Sequence, residues 1–203
     1  MLRHLAVLLA AASLAACATS EDIVPITYTP PASARVAGAE AITVTVASTD
    51  ARTTNRGRIG TQINGFGQDM AAIRAQEDLT VTVRSALSAE LSQRGYALGA
   101  NGIQVNAAVD TFFNRFESGM LSGSSIADVA LTVTVADASG RALYRRPVTG
   151  HVQRDVALAN GERAAESLSM ALTQAMSSLF ADAAFTAALA GTASTDPASR
   201  PAA

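Results

Sequence analysis

Leu79-Thr80-Val81-Thr82-Val83-Arg84-Ser85-Ala86-Leu87-Ser88-Ala89-Glu90-Leu91-Ser92-Gln93-Arg94 is the stretch whose reading decides the fold. Its opening alternates like a strand, with Leu79, Val81 and Val83 on one face. Over the longer window Leu79, Val83, Ala86, Leu87 and Leu91 fall on one helical stripe instead. Asp78 stands where a side chain accepts the first free helix amides, and Gly95 suits the left-handed stop. The stretch reads as a helix, which makes the domain a mixture of α and β rather than all β.

Working outward, residues 41–48 alternate, with Ile42, Val44 and Val46 on one face and Thr43 and Thr45 on the other. Downstream, Ile103, Val105, Ala107 and Val109 give a second strand, and Val129, Leu131, Val133 and Val135 a third. Asp137-Ala138-Ser139-Gly140 is a turn, so a fourth strand beginning near Arg141 pairs antiparallel with the third. Pro147 within it points to an edge or a bulge, because proline cannot donate to a ladder. From Glu162 the pattern is helical again, with Ala165, Leu168, Leu172, Ala175, Met176 and Leu179 on one face and Asn160 or Gly161 at the cap. Asp182 restarts a short trailing helix carrying Phe185 and Leu189. The expected fold is α+β: a two-layer sandwich in the order β-α-β-β-β-α. Its one four-stranded, mainly antiparallel or mixed sheet carries two helices on one face.

Between the first strand and the helix, residues 49–75 lack clear periodicity and hold Gly57, Gly60, Gly65 and Gly67. Asn64-Gly65 is a strong hairpin signal, so a small β-excursion is expected there. Residues 17–40 read as a Pro/Ser/Ala tether, although the apolar piece 23–28 suits an edge segment. A tether that long lets a domain stand several nanometres from its anchor, at about 3.3–3.6 Å per extended residue. The single domain spans residues 41–190, and residues 191–203 are expected to be disordered.

Of the 99 or so apolar residues behind the 49% figure, 44 are alanine, so the core is small-residue packing. All 15 basic residues are arginine, and a net charge of −2 argues against a nucleic-acid partner. Catalysis finds little support. There is no lysine, a Gly-x-Ser-x-Gly elbow is absent, and the glycine spacing of Gly60 and Gly65 lacks the lysine of a phosphate loop. His151 near Asp155 has no nucleophile to complete a site, and no His, Cys and carboxylate cluster suggests a metal. No catalytic residue, cofactor or metal is expected.

Two features stand above background. Arg52, Arg56 and Arg58 lie in a segment without acidic residues between Asp50 and Asp69. Two-pronged guanidinium pairing would suit an anionic partner such as lipid headgroups, lipopolysaccharide or cell-wall polymer; a solvated loop is the plainer alternative. If Val109 and Phe113 face the helices, Phe112 and Phe116 point to the opposite sheet face, to be covered by the tether or by a partner. Asn64, Gly65 and Phe66 complete the set of expected partner contacts.

The start of the chain has a basic Arg3-His4, an apolar run over residues 5–12 and small residues up to Cys17, its single cysteine. Leu14-Ala15-Ala16-Cys17 resembles the bacterial lipoprotein signal, which implies that residues 1–16 are removed and that Cys17 is lipidated. Two or three acyl chains hold a protein stably where one is marginal. Ala18, rather than Asp, resembles the sorting pattern for the outer membrane, with the domain facing the periplasm. The middle of the chain resembles the YajG-type bacterial lipoproteins. That resemblance rests on Ile59-Gly60-Thr61-Gln62-Ile63-Asn64-Gly65-Phe66-Gly67-Gln68-Asp69-Met70-Ala71-Ala72-Ile73, on Asp78-Leu79, and on Arg94-Gly95-Tyr96. Ala72 departs from the proline expected before Ile73. The resemblance implies an envelope lipoprotein with no catalytic residues to carry over. The expected function is non-catalytic binding or adaptor work, with the membrane as partner through Cys17 and a protein or cell-envelope polymer as a second partner. The alternatives are an accessory subunit of an envelope transport or assembly complex and, behind it, a cell-wall or lipid hydrolase.

Overall fold

A computed structural model describes residues 20–119 and 122–191. The signal peptide, Cys17 and the expected disordered tail beyond Gly191 lie outside the described residues.

The helix read from residues 79–94 is present as α1, Leu79–Gln93. Its stripe of Leu79, Val83, Ala86, Leu87 and Leu91 is buried, Asp78 accepts from the Thr80 amide, and Gly95 takes the left-handed φ of 97°. The sheet around it is larger than expected. Eight strands replace four: β1 (Asp22–Val24), β2 (Thr43–Asp50), β3 (Gly60–Ile63), β4 (Asp69–Ala75), β5 (Ala97–Leu98), β6 (Ile103–Glu117), β7 (Gly123–Ala136) and β8 (Ala142–Val156). Three α-helices rather than a two-helix layer accompany it, the second being α2 (Gly161–Ala181) and the third α3 (Ala183–Leu189). The simple four-stranded sandwich is therefore corrected to an eight-stranded mixed sheet. Of the added strands, β1, β3 and β5 have two to four residues, held by backbone pairing with little alternation, while β4 is longer but buries only Ala71 and Ile73.

Strand β6 is the axis. At about 3.3 Å per residue its 15 residues run about 50 Å. One edge pairs antiparallel with β7, which pairs antiparallel with β8. The other edge is shared. Strand β2 runs parallel to its first half, from Val44 opposite Ile103 to Asp50 opposite Val109. Strand β3 takes the second half, with Gly60 opposite Asn114. The hairpin partner β4 and then β1 extend that arm, and β5 extends the other.

Where the two arms meet, the register of β6 against β7 slips at Asp110, a one-residue bulge between Val109 and Thr111. Side chains alternate with period two, so an extra residue moves every later side chain to the other face. Val105, Ala107 and Val109 are buried before the bulge, and Phe112, Asn114 and Phe116 after it. The expected placement of Phe112 and Phe116 on the opposite face is thereby overturned: Phe112 is core, and Phe113 is the residue turned outward and half-buried.

Strand β8 pairs only with β7, so it is an edge, as Pro147 implies. The His151 amide points to the free side, donating to Gln174 Oε1 at 2.9 Å. Pro147 has the same parity, so its missing N–H falls on the unpaired side and the ladder loses nothing. Helix α2 lies so close to β8 that a Cβ on Gly150 would stand 1.8 Å from the Ala171 carbonyl oxygen.

Residues 22–41 are not a free tether. Strand β1 pairs with β4, while Ile26, Tyr28 and Val36 pack on the core and Ala39 is fully buried. The segment crosses the helix layer as a strap: the Thr27 amide meets Ser169 Oγ of α2, and the Val36 amide meets the Arg94 carbonyl after α1.

Leu87→Ala and Leu172→Ala should each cost about 2–5 kcal/mol in urea unfolding, since both are fully buried in a close-packed layer. The exposed Thr49→Ala should shift stability by less than about 0.5 kcal/mol.

Candidate functional site

The arginine segment folds around its own charges. Ala51 donates to Val109 and Asn114 donates to Ile59, so residues 52–58 form a loop pinned at both ends to β6. Arg52 is 6% exposed and sits at the loop's centre. Its Nε and Nη2 grip the Asp50 carboxylate, each at 2.9 Å. Its remaining contacts go to the carbonyls of Asn55 (3.1 Å), Arg58 (3.2 Å) and Arg56 (2.9 Å). A guanidinium has five donors, and all five are used. That pairing holds the Asp50 carboxyl below its ordinary pKa, through the Arg52 hydrogen bond first.

Arg58 donates to Asn55 Oδ1 and Thr61 Oγ1, both at 3.0 Å, and lies over the Phe113 ring. Arg56, 64% exposed, donates to the Asp50 carbonyl at 2.9 Å. Of the three arginines expected to meet an anionic partner, two are therefore loop scaffolding and Arg56 alone is well exposed. The sequence reading took Asp50 only as the segment's boundary, whereas its carboxylate is the partner of Arg52.

The glycine-rich stretch is a real hairpin, with β3 and β4 joined by residues 64–68. Asn64 builds the turn. Its Oδ1 accepts from the amides of Phe66 at 2.9 Å and Gln68 at 3.0 Å, and its Nδ2 donates to Gln68 Oε1 at 2.9 Å. The left-handed residue is Gly67, φ 77°, rather than the Asn64-Gly65 pair the sequence suggested. The five-residue loop needs its positive φ late, and the Asn64 side chain shapes the start. Phe66 stands at the tip, 89% exposed.

Asn64, Gly65 and Phe66 therefore stay together at the surface, whereas Phe112 and Phe116 are buried behind them. The hairpin tip shares a cleft of about 260 Å³ with Ser118 and Gly119 after β6 and with Leu158 after β8. Leu158, 67% exposed, was missed by sequence reasoning because its short loop has no period to read.

His151 does not meet Asp155. The β7–β8 register sets it opposite Asp128, with Nδ1 and Oδ1 2.7 Å apart, and Asp128 is also held by Arg115 at 3.0 Å. The pair lies on an open sheet face. Between β8, α2 and the strap runs a shallow groove of about 730 Å³, lined by Thr27, Gln153, Met170 and Gln174 among others. Among the described residues, no group of three or more His, Cys, Asp or Glu could hold a metal ion.

A second buried charge fastens the strap. Glu90, 1% exposed, accepts from Tyr28 Oη on one carboxylate oxygen and from the Arg94 guanidinium on the other. Arg94 in turn covers the Phe180 ring, 4.1 Å from its centre. The signal in the sequence was a carboxylate four residues after Ala86, in line with the apolar stripe.

These features define a helix-over-sheet α+β domain whose exposed loop tips are apolar and whose charged residues chiefly hold the chain to itself. The chain belongs to a family of uncharacterized lipoproteins, the YajG type, matched over residues 29–190. No curated protein matches it in sequence. Among solved structures it resembles protein XCC0632 from Xanthomonas campestris, at 17% identity and TM-score 0.57 over 83% of this chain and 96% of that one. This likeness shows the fold. A protein described as a neuraminyllactose-binding hemagglutinin homolog from Helicobacter pylori follows at 11% identity and TM-score 0.49, over 82% and 96% of the two chains. Lipoprotein GNA1162 from Neisseria meningitidis stands at 10% identity and TM-score 0.36, over 62% and 91%.

Arg52→Ala should destabilise the domain by about 3 kcal/mol, because it strands Asp50 and three carbonyls, and Arg52→Lys should not rescue it. Arg56→Ala should stay within about 0.5 kcal/mol in the same urea titration.

All three tyrosines have raised pKa values. Burial pushes Tyr28 up to about 12 against the opposing pull of Arg94; burial raises Tyr96, and burial with the Asp182 carboxylate raises Tyr144. Between about pH 10 and pH 12 the unfolded chain loses phenolic protons that the folded chain keeps, so stability falls as pH rises. Tyrosinate absorbance should therefore appear together with unfolding in an alkaline titration, and Tyr28→Phe should make the fall shallower.

Proposed function

We propose that this chain is an outer-membrane lipoprotein, held in the inner leaflet by a lipidated Cys17 and facing the periplasm, and that it works by binding rather than catalysis. The observation carrying this reading is the hairpin tip. A bulky aromatic at 89% exposure is set on a turn that Asn64 holds with hydrogen bonds to Phe66 and Gln68. Exposed apolar side chains on stiff, convergent loops are the usual mark of a contact surface. Asn64, Gly65 and Phe66 are the contact residues, with Arg56 exposed on a separate loop. Catalysis is disfavoured by the setting of His151, whose hydrogen bonds among the described residues run to Asp128 and, through its amide, to Gln174.

A second reading, an accessory subunit of an envelope transport or assembly complex, is favoured by the groove beside β8. The groove, walled on one side by the half-exposed Met170, can accept an extended segment of a partner through side-chain contacts. Stable co-purification of a membrane complex that is lost when groove residues such as Met170 are made charged would support it.

The anchor is tested at Cys17. Mass spectrometry of the membrane-extracted chain should show a lipid-modified amino-terminal cysteine, and Cys17→Ser should leave the chain unanchored or unprocessed. An unmodified thiol on the mature chain would overturn the reading.

A further inference from the structure

We propose that the loop end of the sheet lies flat on the bilayer that holds the anchor, with Phe66 and Leu158 seated at the boundary between headgroups and acyl chains. This rests on the anchoring of Cys17 and names the partner of the hairpin tip.

Three connections meet at this end. Strand β3 runs parallel to the second half of β6, so residues 64–68 lie level with the β6–β7 connection. Val156, the last residue of β8, pairs with Gly123, the first of β7, which brings residues 157–160 to the same end. The shared cleft of Gly65, Gly119 and Leu158 shows that they touch one another's space.

The chemistry of the tips is uniform. Residues 63–68 and 157–160 carry no charge, and Phe66, Leu158 and Met70 are three of the six large apolar side chains exposed among the described residues. The far end differs. Its β7–β8 turn carries the ion pair of Asp137 and Arg141 at 3.0 Å. Glu117 also lines the cleft, but at the end of β6 rather than on a tip, and Arg115 faces it at 3.5 Å. A surface whose protruding tips are apolar and uncharged suits the membrane interface, where an aromatic inserts without stranding an ion.

The path of the chain decides what covers that end. Strand β1 runs parallel to β4 with Asp22 opposite Ile73, so the chain ahead of Asp22 heads back toward Asp69 and the hairpin tip. Ser20 already lies there, its carbonyl accepting from Gln62 Nε2 at 3.5 Å. Glu21 is fixed by Arg74 at 2.6 Å. Cys17 lies three positions ahead of Ser20, a reach of at most about 11 Å at 3.3–3.6 Å per residue. An anchor at Cys17 is therefore held within about 11 Å of Ser20, on the arm of the sheet that carries the hairpin. With residues 22–41 bound to the domain as the strap, the bilayer is the surface within reach of this end.

The chain contains no tryptophan, so one introduced indole reports its own surroundings. The lipidated full chain is reconstituted into vesicles of phosphatidylethanolamine and phosphatidylglycerol as Phe66→Trp, Leu158→Trp or Leu98→Trp, the last at the far end. All three sites are exposed, so the melting temperatures should match that of the parent. Phe66→Trp and Leu158→Trp should emit at shorter wavelength and be quenched by lipids brominated near the headgroup. Leu98→Trp should remain accessible to aqueous iodide. If the chain floats with the vesicles while all three indoles respond to iodide alike and to bromolipid not at all, the docking is overturned and the anchor stands. If the chain does not float, the anchor at Cys17 is overturned and the docking with it.

Discussion

Strand β6 has to satisfy three neighbours at once, and the one-residue bulge at Asp110 is what lets it do so. Strands β2 and β3 divide one of its edges, with the loop of residues 51–59 between them, while β7 runs the length of the other. Without a change of phase, the half of β6 that follows the bulge would turn Phe112 and Phe116 to the open face and Phe113 and Arg115 inward. With it, Val109 and Phe112 are buried together under one helix layer, although they stand three positions apart. A strand of this length also twists, and a bulge is where a sheet absorbs the extra turn. The long arms of β7 and β8, the seat of α2 and the position of the β3–β4 hairpin all follow from that placement.

Around this axis, charge is spent internally. Arg52 turns all five donors onto Asp50 and the carbonyls of its own loop, bridging the gap between β2 and β3. Glu90 and Arg94 do comparable work in the helix layer, where they receive Tyr28 from the strap. Removing one partner from such a pair costs more than the pair contributes, because the other is left buried and unmatched. The two networks are thus constraints on conformation: the first gives the loop its shape, and the second holds the amino-terminal segment down. The residues read from the sequence as a spacer are thereby part of the fold. The contact surfaces proposed above are the apolar loop tips and the groove beside β8.

How much could be read from the residues alone depended on whether burial imposed a period. Helix α1, the faces of β7 and α2 and the caps at Asp78, Asn160 and Asp182 were all legible, because a core on one side of an element stamps its spacing on the sequence. So was the family, through residues 59–73 and the turn at Gly95. Strands β1, β3, β4 and β5 were not counted in the sheet: β1, β3 and β5 are two to four residues long and held by backbone hydrogen bonds, which any residue can make, and the longer β4 buries only Ala71 and Ile73.

The residues expected from the sequence to make contacts divide along the same line. By itself the sequence determined that Phe66 sits on a turn, that Pro147 marks an edge or a bulge and that the fold joins helices to a sheet, since each follows from local stereochemistry or periodicity. The tertiary structure alone decided that Phe112 and Phe116 are core, that Arg52 and Arg58 are internal, that His151 faces Asp128 and that Leu158 joins Phe66. Each of these depends on register: a bulge of one residue, or the pairing of strands far apart in the chain, settles which side chains meet. Register is fixed by the whole sheet at once and leaves little trace in any single strand.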